Sequence, residues 1–127
     1  MNRQKIVYIS GKMGEKKLSS ITVKKFQDAQ DLLLSQGHAV INPADKQYQK
    51  DMKHHVAIEK KRYEKQHFKK DFDEYGQMLL YDMHFIWGCD AIYMLPDWRN
   101  SPGATAEHSY AKSCNREIIY ADPSTAE

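Results

Sequence analysis

The chain has 127 residues, with 19 Lys and Arg against 17 Asp and Glu and a formal net charge of +2. That length suits one domain, residues 1–127, with a single core, and the near-even charge does not single out a polyanion binder or a membrane-surface protein. With no long apolar run, no cleavable leader pattern and two scattered cysteines, the expectation is a cytoplasmic protein with no membrane span, disulfide framework or zinc site.

Lys5 to Ser10 is a β-branched and aromatic run ended by Gly11, as expected for a strand entering a loop. After the loop Ser10-Gly11-Lys12-Met13-Gly14, a helix is expected from about Ser19 to Ser35, with Val23, Phe26, Ala29 and Leu33 at helical spacing. Ser19 or Ser20 can cap it, and Gly37 can end it. His38 to Asn42 reads as a second strand closed by Pro43. Strand, helix, strand in this order implies a right-handed parallel crossover.

Residues 46–73 differ in texture. Nine Lys or Arg and five Asp or Glu are interleaved with Tyr48, His54, His55, Tyr63, His67, Phe68 and Phe72, without Gly or Pro. This charged segment is expected to be helical, in one or two pieces, with a solvated face or as a lid over a nucleotide site. The stripe Phe68, Phe72, Tyr75, Leu79, Met83, Ile86 predicts a helix over 68–87 leading to Gly88. Cys89 to Leu95 reads as a buried third strand. It is followed by a loop with Pro96, Trp98 and Pro102, a helix from about Gly103 to Cys114 and a last strand Glu117–Tyr120. The tail Asp122 to Glu127 is expected to fray. Alternating strands and helices argue for an α/β domain with a largely parallel sheet.

Several residues are candidates for chemistry. The loop after the first strand exposes backbone amides near a helix start, which suits an anion, and Lys12 can add charge; a plain tight turn fits equally. Glu107 lies near the start of its helix, where the dipole favours a carboxylate, and Ser101 can hold a ligand or simply cap that helix. Asp82 adjoins the apolar stripe Leu79, Met83, Ile86, and an aspartate at a buried edge is costly unless paired or functional. Asp90 can serve the site or pair structurally. His55 and Glu59 have metal-pair spacing but lack a third ligand. His54, His55 and His67 read as solvated, and His108 points away from its neighbour Glu107 on a helix. No metal and no cofactor are expected.

Taken together, the strand Ile6 to Met13, the strand end Val40-Ile41-Asn42-Pro43-Ala44, Asp82, the stretch Cys89 to Pro96, and Trp98, Ser101-Pro102-Gly103-Ala104, Glu107 and Ala111 resemble the DUF4406 family, within the nucleoside 2-deoxyribosyltransferase-like superfamily. The resemblance spans nearly the whole chain apart from the charged segment. It implies a flavodoxin- or Rossmann-like three-layer α/β sandwich around about four strands, with residues 46–73 as a charged helical insert. It also implies that Glu107 is a nucleophile towards the sugar C1′, that Asp82 binds and protonates the leaving base with Asp90 as the strand aspartate, and that Tyr8 orients Glu107. Ser101 occupies a position that is serine in the monophosphate hydrolases and usually aspartate in the transferases, which tilts the reading towards a nucleotide. Ser10, Gly11, Lys12, Met13, Gly14, Gly103 and Asn42 complete the implied substrate- and phosphate-binding set.

The function expected is cleavage of the N-glycosidic bond of a nucleoside or deoxynucleoside 5′-monophosphate, with water or a second base as acceptor, by a homo-oligomer of dimer size or larger. A non-catalytic nucleotide or nucleotide-signal binder on the same fold is the alternative. A nucleic-acid partner through segment 46–70 is a weaker reading, since its charges alternate in sign along the helix.

Overall fold

The computed structural model describes residues 3–14, 17–66 and 71–127. In chain order it contains β1 (Ile6–Ser10), α1 (Ser20–Ser35), β2 (Ala39–Ile41), α2 (Lys46–Lys65), α3 (Glu74–Trp87), β3 (Ala91–Met94), α4 (Pro102–Ser113) and β4 (Glu117–Tyr120), with short 3-10 turns at Trp98–Asn100 and Pro123–Thr125. The sheet has the order β2-β1-β3-β4 and every pairing is parallel, Tyr8 standing opposite Ile41 on one side and Ile92 on the other. It is an α/β fold of the flavodoxin- or Rossmann-like sandwich type. The connection from β1 through α1 leads to one side of β1 and β3 lies on the other, so strand order reverses between β1 and β3. Open α/β sheets bind ligands beyond the carboxyl ends of the strands at such a point.

Alternation along the strands builds the two faces of the core. Val7, Ile9 and Ala91 pack against Phe26, Ala29 and Leu33 of α1. Tyr8, Ile92 and Met94 turn the other way, with Ile86 of α3 and Ala104 and Ala111 of α4. The inward stripe of α1 is Thr22, Phe26, Ala29 and Leu33, while Val23 is 41% exposed. The expected stripe was thus one position out of phase at its start, because Thr22 can be buried near its cap, where Ser19 Oγ donates to its hydroxyl. Ser19 caps α1, and Gly37 ends it at φ +87°, the left-handed conformation that glycine adopts without strain.

The helix expected over 68–87 begins at Glu74, where Asp73 caps it by accepting from the Gly76 amide at 2.8 Å. Phe68 and His67 lie outside the described residues. Phe72 precedes the helix and packs its ring edge-on against Tyr63. Asp90 lies before β3, where its carboxylate accepts from the Ile6 amide at 2.8 Å. The tail does not fray. Trp98 Nε1 donates to Thr125 Oγ1, Arg99 to the Thr125 carbonyl, and Lys112 pairs with Glu127. No helix among the described residues is long and apolar enough to cross a membrane.

Gly11 marks a close approach between the β1 and β3 ends, since a Cβ there would stand 2.7 Å from Leu95 Cδ1 and 2.9 Å from Leu95 Cβ. Gly11→Ala is expected to destabilise the fold by about 1–3 kcal/mol through overpacking. Urea unfolding at equal slope measures this, and an unchanged midpoint would contradict the packing described.

Candidate functional site

Glu107 belongs to the inward stripe of α4, which comprises Ala104, Glu107, His108 and Ala111. That spacing drives a carboxylate into the protein under the end of β1. There it meets the two residues of β1 that share its face of the sheet. Ser10 Oγ donates to Glu107 Oε1 at 2.7 Å, and Tyr8 donates its hydroxyl to Oε2 at 3.2 Å. Asp82, one turn before Ile86 on the buried side of α3, lies close enough to Glu107 for the two carboxyls to interact. Tyr48 donates to Asp82 Oδ1 at 2.6 Å from the first turn of α2. Asp45 fixes that turn by accepting from the amides of Gln47 and Tyr48.

The electrostatics follow from burial. Glu107 is 6% and Asp82 8% exposed. Loss of hydration pushes both carboxyls up, Asp82 to about 6 and Glu107 well above the usual glutamate range, with repulsion from Asp82 adding to the latter. The hydroxyls of Ser10 and Tyr8 on Glu107, and of Tyr48 on Asp82, oppose this by favouring the charged forms. Two facing carboxyls of this kind disfavour each other's ionisation and titrate as a pair. The tyrosines stay neutral: burial first, then the nearby carboxylates, raise the pKa of Tyr8 and Tyr48.

Above the pair opens a cavity of about 550 Å³, lined by Glu107 and Asp82, by the loop Gly11 to Gly14, by Phe26 and Pro43, by Tyr75, Met78 and Leu79 of α3, and by Asn100 to Ala104. Its size suits a nucleotide-sized molecule. The hydroxyl of Tyr75 reaches across to α4, 2.9 Å from where a Cβ on Gly103 would stand.

The residues expected from sequence divide clearly. Glu107, Tyr8 and Ser10 meet in one hydrogen-bonded cluster, with Asp82 interacting beside it. Gly11, Lys12, Met13, Gly14, Ser101 and Gly103 line the cavity. Asn42 does not; its side chain accepts from the Ala44 amide and donates to Gln30, which shapes the turn after β2. One amide in the implied phosphate seat is already committed, that of Lys12 to Asp97 Oδ1 at 3.1 Å, and the Ser101 hydroxyl accepts from the Ala104 amide at 3.1 Å. Ser101 is therefore the helix cap as well as a lining residue.

His108 does turn away from Glu107: it stacks on Trp98 with ring centroids 4.2 Å apart and meets the Tyr120 hydroxyl at 2.8 Å. His55 packs its ring against Tyr81. Among the described residues no group of three or more His, Cys, Asp and Glu is arranged to hold a metal ion. None of the described residues of the charged segment lines the cavity. Instead α2 sends Met52 and Val56 into the interior and Tyr48 to Asp82.

Tyr48 and Tyr75 are the site residues that sequence reading missed. Tyr48 has a signal, because it lies one helical turn before the buried Met52 on an otherwise charged helix. Tyr48→Phe is expected to raise the pKa of Asp82 above about 6 by about one unit, since a hydrogen bond favouring its charged form is lost. Carboxyl-labelled NMR titration reads this directly, and a downward shift would contradict the assignment.

No curated protein matches the sequence at a significant level. Over residues 5–120, however, it matches the model of a domain of unknown function, DUF4406, and the chain belongs to that family.

Proposed function

We propose that the chain cleaves the N-glycosidic bond of a nucleoside or deoxynucleoside 5′-monophosphate through a covalent glycosyl-enzyme, as the resemblance to nucleoside 2-deoxyribosyltransferase-like enzymes implies. The observation that carries the reading is the buried Glu107 carboxyl, gripped by Tyr8 and Ser10 and facing the buried Asp82 in a nucleotide-sized cavity.

The reactive form has Asp82 protonated and Glu107 as a carboxylate beneath the cavity. Glu107 attacks C1′ as the bond from C1′ to the base nitrogen breaks. The bonding electron pair leaves with the base, and Asp82 donates its proton to that base. The sugar passes through an oxocarbenium-like state that the Glu107 charge stabilises, the division of labour of a retaining glycosidase. Water or a second base then attacks C1′ and gives its proton to Asp82, which frees Glu107. The dipole of α4, the Ser101 hydroxyl and the loop 11–14 suit the 5′-phosphate. Assembly into a homo-oligomer belongs to the same proposal and is supported by Leu80 and Trp87, each 59% exposed on α3.

The test is release of free base from a panel of ribo- and deoxyribonucleoside 5′-monophosphates, followed by chromatography with and without an acceptor base. Release that saturates with one nucleotide supports an enzyme and names its substrate. One feature favours the non-catalytic nucleotide binder instead: burial holds Glu107 towards its protonated, weakly nucleophilic form. That reading gives saturable binding and no base under either condition.

A further inference from the structure

Three groups outside the carboxylate cluster, Lys12, Lys25 and Asp97, meet beside the 11–14 loop that lines the cavity. Lys25, on α1, donates from Nζ to Asp97 Oδ2 at 2.6 Å and to the Lys12 carbonyl at 2.7 Å. Asp97, in the loop after β3, accepts from the Lys12 amide through its other oxygen. The Gly11 to Gly14 loop is thus tied to the loop after β3 at Asp97 by a carboxylate and one ammonium group.

An anion resting on the 11–14 loop meets a carboxylate hydrogen-bonded to the loop itself. Like charges repel, and physiological salt screens exposed charges only beyond about 8 Å. The Lys25–Asp97 ion pair is about one-third exposed on each side, 31% and 32%. Its stabilisation of the fold is accordingly small. Its effect on the charge of the seat is large, because it cancels Asp97.

We infer that Lys25 is a positioning residue that makes this site accept a phosphorylated ligand: it neutralises Asp97 beside the 11–14 loop and so sets the preference for a nucleoside 5′-monophosphate over the bare nucleoside. The inference rests on the nucleotide reading above. It separates charge from simple loop tethering, because asparagine at 97 keeps an oxygen for the Lys12 amide while removing the charge.

The experiment is isothermal titration of one nucleoside 5′-monophosphate and its parent nucleoside into the wild type, Lys25→Met and the double variant Lys25→Met/Asp97→Asn. Lys25→Met is expected to weaken the monophosphate about tenfold or more and the nucleoside less than about twofold. The double variant is expected to regain most of the monophosphate affinity. Equal weakening of both ligands, or no rescue, overturns the charge role and leaves a mere structural tie. A wild type that binds the nucleoside but not its monophosphate overturns the inference and, with it, the monophosphate reading of the site. One that binds neither overturns the nucleotide reading with it.

Discussion

Glu107→Ala is expected to abolish base release, a fall of roughly 10³-fold or more, while the protein stays folded. The side chain is the nucleophile of the proposed reaction and no neighbour can substitute for it: Tyr8 and Ser10 are hydroxyls aimed at Glu107, and Asp82 is occupied as the proton donor. Glu107→Gln separates chemistry from packing. The amide keeps shape and one acceptor oxygen but cannot attack C1′ as an anion. It also removes a buried charge that burial disfavours. Loss of turnover with unchanged or higher thermal stability is therefore the expected pair of results. Undiminished release by either variant, measured by the same chromatography, would end the mechanism.

Asp82→Asn is expected to change how stability depends on pH. The folded-state pKa of Asp82 is raised from 3.8 to about 6, so between these values the folded protein binds more protons than the unfolded chain. The Asp82 contribution to stability must then fall as pH rises through that window and level off above it. The shift of about two units corresponds to at most roughly 3 kcal/mol. The asparagine variant lacks this slope. It should match the wild type near pH 4 and exceed it above pH 6, while base release drops at least about 10²-fold for want of a proton donor. Urea unfolding at pH 4 and pH 7.5 decides it: equal pH slopes in the two proteins would show that Asp82 is not held protonated by burial. Such a pair of results is what a functional site under strain predicts, since the carboxyls that serve the reaction oppose the fold.

Much of this arrangement is legible in the sequence, because simple periodicities report it. The runs around Ile6 to Ser10 and Ala91 to Met94 are apolar enough to be central strands, and the Ser19 and Gly37 signals bracket α1 by backbone chemistry alone. Asp82 and Glu107 stand out because each occupies a helical position that packing buries. What sequence hides is contact at a distance. Tyr48 looks like one more residue of a charged helix until the fold brings it 2.6 Å from Asp82, 34 residues away. Lys25 and Asp97 are ordinary surface charges in sequence and meet only through the β1–β3 crossing. Asn42 shows the converse: a polar residue at a strand end looks like a ligand group, and here its side chain serves its own turn. The helix expected from residue 68 starts at Glu74 because Asp73 supplies a cap that the longer apolar stripe conceals. The tail order depends on Trp98 offering an indole N–H to Thr125, a bond without local signal.

The most direct measurement is the intact mass of the protein after incubation with a 2′-fluoro-2′-deoxynucleoside 5′-monophosphate, in which the electron-withdrawing fluorine slows release of a glycosyl-enzyme. The account predicts a mass increase of one fluorinated deoxyribose 5-phosphate residue, mapped by peptide sequencing to Glu107 and absent from Glu107→Gln. An adduct on any other residue, or base release from natural nucleotides with no adduct at Glu107, would contradict it.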